Sequence, residues 1–277
     1  EEVKNGNLSW QIPVDADAHG EFDKLARGIN EISEASERAI RNELKNQRLK
    51  TDLISNVSHD LKTPLTSIIA YIDLLKREGA DGPAAREYLD VLDQKSQRLK
   101  KLTEDLFEAA KASSGAIPVH KEKIDLLSLI KQGLGELGDG LAAQRLDVKL
   151  HSESERYYVR ADGQLLWRIV ENLLGNVQKY ALEGSRVYID LSEQKTAAGG
   201  MTVLEIKNIS KAQLNIGADE LMERFVRGDE ARATNGSGLG LAIAKDLARL
   251  QNGLFELKID GDLFKAVLLL ERWEEAA

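Results

Sequence analysis

Apolar residues recur every three or four positions over most of the first 110 residues. Phe22, Leu25, Ile29 and Ile32 open the series. It weakens through the charged stretch SERAIRNELKNQRLK and resumes at Leu53, Val57, Leu61, Leu65, Ile68, Ile72 and Leu75. The spacing predicts one long helix from about Glu21 to Lys76, with Pro64 as the natural place for a bend. A periodic pattern well beyond about 25 residues suggests a coiled coil rather than an ordinary globular helix. The segment REGADGPA reads as a turn, with Gly79 and Gly82 stopping one helix and Pro83 starting the next. A second amphipathic series then runs through Tyr88, Leu92, Lys95, Leu99, Leu102, Leu106 and Ala109. Two such helices form an antiparallel hairpin. One hairpin leaves its apolar stripe in water, and a dimer forming a four-helix bundle covers it.

From Val119 the period changes. Short strand-like runs appear: VHKEKI, RLDVKLHS, RYYVRA, RVYIDLSEQ, MTVLEIKN, LFELKID and FKAVLLLERW. Helical segments DLLSLIKQGLGEL, DGQLLWRIVENLLGNVQKYALE and GSGLGLAIAKDLARLQN lie among them. Together they predict a mixed sheet with helices on one side, an α/β sandwich. The fold class expected for the whole chain is therefore α+β, a dimeric helical hairpin followed by this sandwich.

Composition narrows the picture. The 277 residues allow about two domains. Apolar residues, at 42%, suffice for a real core, and 30% charged residues suit long solvated helices. A net charge of −8 argues against general nucleic-acid binding. With no cysteine there are no disulfides or thiolate metal sites, and no two of the four histidines stand at ligand spacing. No apolar run approaches the roughly 20 residues of a membrane span, and no signal peptide is evident. The expectation is a soluble, intracellular chain or the soluble part of something larger.

Four constellations carry candidate chemistry. The first is His59-Asp60-Leu61-Lys62-Thr63-Pro64. On a helix, His59 and Thr63 share a face. A neutral imidazole has one bare nitrogen able to act as a nucleophile, and a neighbouring carboxylate can fix the tautomer and balance the developing charge. The plainer reading is an exposed helix histidine beside a charge. The second pairs Asn172 with Asn176, one turn apart on a helix whose other face is Leu166, Ile169, Val170, Leu173, Leu174 and Val177. A carboxamide oxygen suits magnesium, and Lys179 could meet a phosphate as a point charge. The plainer reading is two solvated asparagines. The third is Gly236-Ser-Gly238-Leu-Gly240 at a helix start, where backbone N–H groups can approach phosphate. The fourth is the loop before it, with Phe225 as an apolar anchor and Arg227 and Arg232 as phosphate candidates or surface ion-pair partners.

Taken in order, these motifs resemble the sensor histidine kinases of two-component systems, over nearly the whole chain. SHDLKTPLTSIIAYIDLL resembles that family's histidine box, NLLGNVQKY its asparagine box, ERFVRGD its phenylalanine box and GSGLGLAIAK its second glycine box. The N-terminal GNLSWQIPVDADAHGEFDKLARGINEI is similar to the second half of a HAMP linker. The resemblance implies four regions: a partial HAMP-like linker at 1–34, a dimerisation and histidine phosphotransfer hairpin at 35–112, a linker at 113–118, and at 119–277 an ATP-binding domain of the histidine kinase, gyrase and Hsp90 type. It implies that His59 accepts phosphate, that Asp60 is the general base, and that Thr63 positions a water for dephosphorylation of the partner. Asn176 would hold Mg2+ with help from Asn172. Lys179 and Arg227 would touch the phosphates of ATP, Tyr180 would lie near the nucleotide, and Gly236, Gly238 and Gly240 would cradle it. The partners implied are a second copy of the chain and the receiver domain of a response regulator. No nucleic acid is expected, and contact with an inner or plasma membrane is expected only through segments not in this sequence, making it the cytoplasmic portion of a membrane sensor.

One departure stands out. The family's first glycine box usually begins with an aspartate that accepts a hydrogen bond from the adenine amino group. Here the corresponding stretch is KNISKAQ, with Asn208 in the aspartate place and Ser210 and Ala212 in the glycine places. An asparagine oxygen still accepts, but a neutral bond is about half as strong as a charge-assisted one. ATP is therefore expected to bind weakly. That leaves open a nucleotide-binding dimeric scaffold with weak or lost kinase activity. A gyrase-like ATPase would need a catalytic glutamate, for which Glu171 is the obvious candidate.

Overall fold

The computed structural model describes residues 12–13, 20–52, 58–78, 84–196, 199–223, 226 and 237–274. They fall into two compact units, 1–63 and 64–277. In the first, α1 spans Glu21–Asp52. Asn30 staples the preceding segment to it: its Oδ1 accepts from the Ile12 amide at 2.8 Å and its Nδ2 donates to the Ile12 carbonyl at 3.0 Å. Helix α2 covers Ser58–Glu78 and crosses the unit boundary. Pro64, the expected place for a bend, lies inside this helix and does not end it. Residues 53–57 and the turn at 79–83 lie outside the described residues.

The second unit starts with the rest of α2 and with α3 (Ala85–Ser114), ended by Gly115 at φ +70°. Along α2, Leu65, Ile69 and Ile72 are exposed, spaced by four and three, as are Leu89 and Phe107 on α3. This is the wet apolar stripe that the periodicity predicts for a hairpin awaiting a partner. Farther along α3 the small residues Ala109 and Ala112 are buried and join the core of the following lobe, because a short side chain lets α3 lie close to α8 (Gly240–Leu250).

The lobe is built as the strand and helix periods indicate. A five-stranded sheet has the order β2-β4-β5-β7-β6. Its strands are β2 (Asp147–Ser152), β4 (Arg186–Thr196), β5 (Gly199–Ile209), β6 (Leu254–Asp260) and β7 (Leu263–Glu271). Among the described residues β2 and β4 are the one parallel pair of this sheet, and its other pairs are antiparallel. The segments β1 (Glu122–Asp125) and β3 (Tyr158–Ala161) form a separate two-stranded sheet, where one sheet was expected. Alternation along β4 sends Val187, Ile189 and Leu191 inward, against α6 (Gly163–Tyr180) and α4 (Leu126–Glu136). The other face carries charges paired across strands, Lys207 with Asp190 and Lys265 with Glu205, each at 2.6 Å, and Lys207 also stands 3.6 Å from Glu205 on its own strand. Two short helices, α5 (Gly138–Ala143) and α7 (Ala218–Leu221), were not expected, since neither is long enough to show a period.

Aspartate caps place the two long inner helices. Asp125 Oδ1 accepts from the Leu127 amide at the start of α4. Asp162 Oδ1 accepts from the amides of Gln164 and Leu165 at 3.0 and 3.1 Å, and its Oδ2 accepts from the His120 amide at 2.9 Å. The Asp162 amide itself donates to the buried Gln251 side chain at 2.8 Å, tying the start of α6 to the end of α8. The direction and register of α6 therefore follow from one buried carboxylate.

Candidate active site

Helix α6 buries Leu166, Ile169, Val170, Leu173, Leu174 and Val177. The 3.6-residue turn then turns Asn172, Asn176 and Lys179 to the other side, where they line a cavity of about 400 Å³. The same cavity takes Tyr180 from the helix end, Asn208, Ser210 and Ala212 from the end of β5 and beyond, and Gly238 and Gly240 from the start of α8. Residues up to 68 positions apart in sequence thus converge on one concavity, in the size range of small-molecule sites.

Each wall has its chemistry. Asn172 Nδ2 donates to the Arg168 carbonyl at 3.0 Å, and its Oδ1 stands 3.0 Å from where a Cβ on Gly240 would sit. A side chain at 240 would therefore push into the asparagine. Gly238 has φ +67°, a conformation that costs an L-residue roughly 1 kcal/mol or more. Asn208 is only 4% exposed, and its Nδ2 donates to the Ile209 carbonyl at 3.2 Å, leaving Oδ1 as the group able to accept in the cavity. Lys211 donates to the Lys179 carbonyl and holds its ammonium 5.9 Å from the centre of the Tyr180 ring. The Lys179 side chain stands exposed at the rim, yet desolvation lowers its pKa; Asp105 opposes this, Lys101 adds to it, and Glu171 opposes it.

The donor set suits a nucleoside triphosphate with magnesium: lysines and glycine N–H groups for phosphate, an acceptor for a base amino group, and two carboxamides for the ion. Among the described residues no group of three or more His, Cys, Asp or Glu could hold a metal. An ion here would rest on one or two protein oxygens with phosphates supplying the rest, as magnesium commonly does.

The remaining expected residues fall elsewhere. His59 and Asp60 sit in the first turn of α2, and their side chains lie outside the description; Thr63, one turn on, is exposed. Phe225, Arg227, Arg232 and Gly236 lie outside the described residues. Glu171 is committed to Arg168, with Oε2 2.5 Å from Nη1.

The sequence reading missed a whole wall. Helix α3 presents Arg98, Lys101, Leu102 and Asp105 to the cavity. Asp105 is 5% exposed. Its Oδ1 accepts from Arg168 Nη2 at 3.0 Å and its Oδ2 from the Ser237 hydroxyl at 2.9 Å. Arg168 Nε also donates to Glu108 at 2.7 Å. Burial works against the Arg168 charge, but the bonds to Glu108 and Glu171 outweigh it and hold its pKa above the ordinary arginine value. One guanidinium thereby joins α3 to α6, and one carboxylate joins both to the glycine loop.

Residues 49–115 match the family model of the His Kinase A phospho-acceptor domain, and residues 161–269 that of the histidine kinase-, DNA gyrase B- and HSP90-like ATPase. The chain belongs to the histidine kinase family. It is 29% identical over 90% of its length to the sensor histidine kinase YvrG of Bacillus subtilis, and 31% identical over 87% to the sensor protein VanS of Enterococcus faecium. Those matches cover 43% and 61% of the relatives, so the chain spans about half the length of the curated relatives it matches. Its fold is that of the histidine kinase ThkA in a solved complex with the response regulator protein TrrA. The TM-score is 0.63 at 16% identity, over 85% of this chain and 66% of that one.

Replacing Arg168 by Met leaves Asp105 and Glu108 without their main partner. Fully buried pairs lose about 3–5 kcal/mol when broken; with Glu108 and Glu171 still partly hydrated, about 2 kcal/mol is expected here. That is roughly thirtyfold faster amide exchange along α3 from Lys101 to Ala112, read by hydrogen–deuterium exchange; unchanged protection would contradict the bridge.

Proposed function

We propose that the chain is the kinase portion of a two-component sensor. It phosphorylates His59 from ATP and passes the phosphoryl group to an aspartate on a response regulator's receiver domain. The observation that supports this most is the convergence of Asn172, Asn176, Lys179, Tyr180, Asn208, Gly238 and Gly240 on one cavity, in a chain that also carries a phospho-acceptor domain.

In this reading Lys179, the glycine loop and Arg227 bind the phosphates, Tyr180 packs near the base, and Asn208 Oδ1 accepts from its amino group. Asn176, assisted by Asn172, holds magnesium, which would neutralise phosphate charge. The His59 nitrogen forms a bond to the terminal phosphorus as the bond to the bridging oxygen breaks, and ADP leaves. Asp60, next in the chain, takes up the positive charge and then the proton of the imidazole. Little covalent chemistry is asked of the protein; its work is positioning and charge neutralisation. Thr63, exposed one turn from His59, would orient a water for dephosphorylation of the regulator. The stripe Leu65, Ile69 and Ile72 fits a homodimeric bundle. Among the described residues no helix is long and apolar enough to cross a membrane.

A scaffold that binds nucleotide without transferring phosphate is the second reading, favoured by the neutral Asn208. Incubation with γ-labelled ATP separates the two. Acid-labile, alkali-stable label is expected on the chain and none on the His59→Gln variant; nucleotide binding without label would leave the scaffold. Asn208→Asp restores a charge-assisted bond and is expected to tighten Mg·ATP about fivefold in calorimetry; unchanged affinity would mean Asn208 does not meet the base.

A further inference from the structure

This inference rests on the nucleotide reading of the cavity and adds the wall that faces α6. Arg98, Lys101, Leu102 and Asp105 step by three, one and three along α3, so they share one face, and all four line the cavity. Of these, Asp105 is already satisfied: Arg168 holds one oxygen at 3.0 Å and Ser237 the other at 2.9 Å. Lys101 is its third partner, at 3.4 Å from the oxygen that Arg168 already binds. The Lys101 side chain is 48% exposed. Its ammonium can therefore leave Asp105 and turn inward without stranding a buried carboxylate.

Lys179, from α6, lines the same cavity. Although its side chain is exposed, the cavity walls desolvate it enough to lower its pKa; Asp105 opposes this, and Lys101 lowers it further. Two ammonium groups from two helices thus line one concavity that the glycine loop also lines, and the Lys101 charge disfavours that of Lys179. An anion between them converts that repulsion into two attractions.

We propose that Lys101 is a polyphosphate-binding residue supplied by the helical hairpin, bracketing with Lys179 the phosphate chain of a nucleoside triphosphate held by the lobe. The triphosphate then ties α3 to the lobe as well as filling the cavity. A diphosphate, one charged group shorter, ties it less. The same substrate that feeds the transfer strengthens the docking of the two elements, and transfer loosens it.

The test is calorimetric titration of the full chain with Mg·ATP and Mg·ADP. Lys101→Met keeps the apolar stem and removes the charge. It is expected to weaken ATP about tenfold and ADP less than threefold, the ATP difference shrinking as salt rises. Lys101→Arg restores most of the loss. Lys100→Met is the control, because Lys100 is exposed and paired with Glu104 at 3.9 Å rather than facing the cavity; it changes neither affinity. Equal ATP affinity of Lys101→Met and the unaltered chain overturns the proposal, as does equal loss for ATP and ADP without rescue by arginine, which would mark a structural role. If the unaltered chain takes up neither nucleotide, the nucleotide reading fails and the proposal falls with it.

Discussion

Helix α6 has to satisfy two environments at once, and the site depends on that division. Its apolar face, from Leu166 to Val177, is buried against sheet and neighbouring helices and cannot rotate without exposing about six large side chains. At roughly 1.5–3 kcal/mol for each such side chain, rotation is prohibitive. The opposite face is consequently fixed in direction, and Asn172, Asn176 and Lys179 point where they do because the leucines point elsewhere. Asp162 sets where the helix starts, and with it which residues fall on which side.

The second constraint is the docking of α3. Ala109 and Ala112 bring that helix close enough for Asp105 and Glu108 to reach Arg168, and for Asp105 to reach Ser237. A buried charged bridge of this kind adds little net stability over an apolar contact, but its loss is costly and its geometry is specific. It fixes one arrangement of hairpin helix and lobe. It also gives that arrangement a direct connection to the loop whose glycines stand at the cavity, so that what fills the cavity and how α3 sits are no longer independent.

Much of this was legible from the chain because period and burial coincide. Strand-like runs such as RVYIDLSEQ and LFELKID alternate, and they are strands; the α6 segment shows a clean apolar stripe, and it is the buried helix. The asparagine pair was visible because polar carboxamides one turn apart stand out against leucines. What escaped was non-local. Arg168 and Asp105 are 63 positions apart, and Lys101, Asp105 and Glu108 look in sequence like an ordinary solvated helix face. Nothing in KKLTEDLFE says that a guanidinium will arrive from another element. The short helices α5 and α7 escaped for a simpler reason: four to six residues carry no period to read.

That the cavity is where the nucleotide sits is the claim on which the rest turns, and amide NMR of the labelled chain during a Mg·ATP titration measures it residue by residue. Saturable shifts are expected, concentrated at residues 172–180, 208–212 and 237–241 with a further set near Lys101. Shifts confined to other surfaces, or none up to millimolar nucleotide, would contradict it.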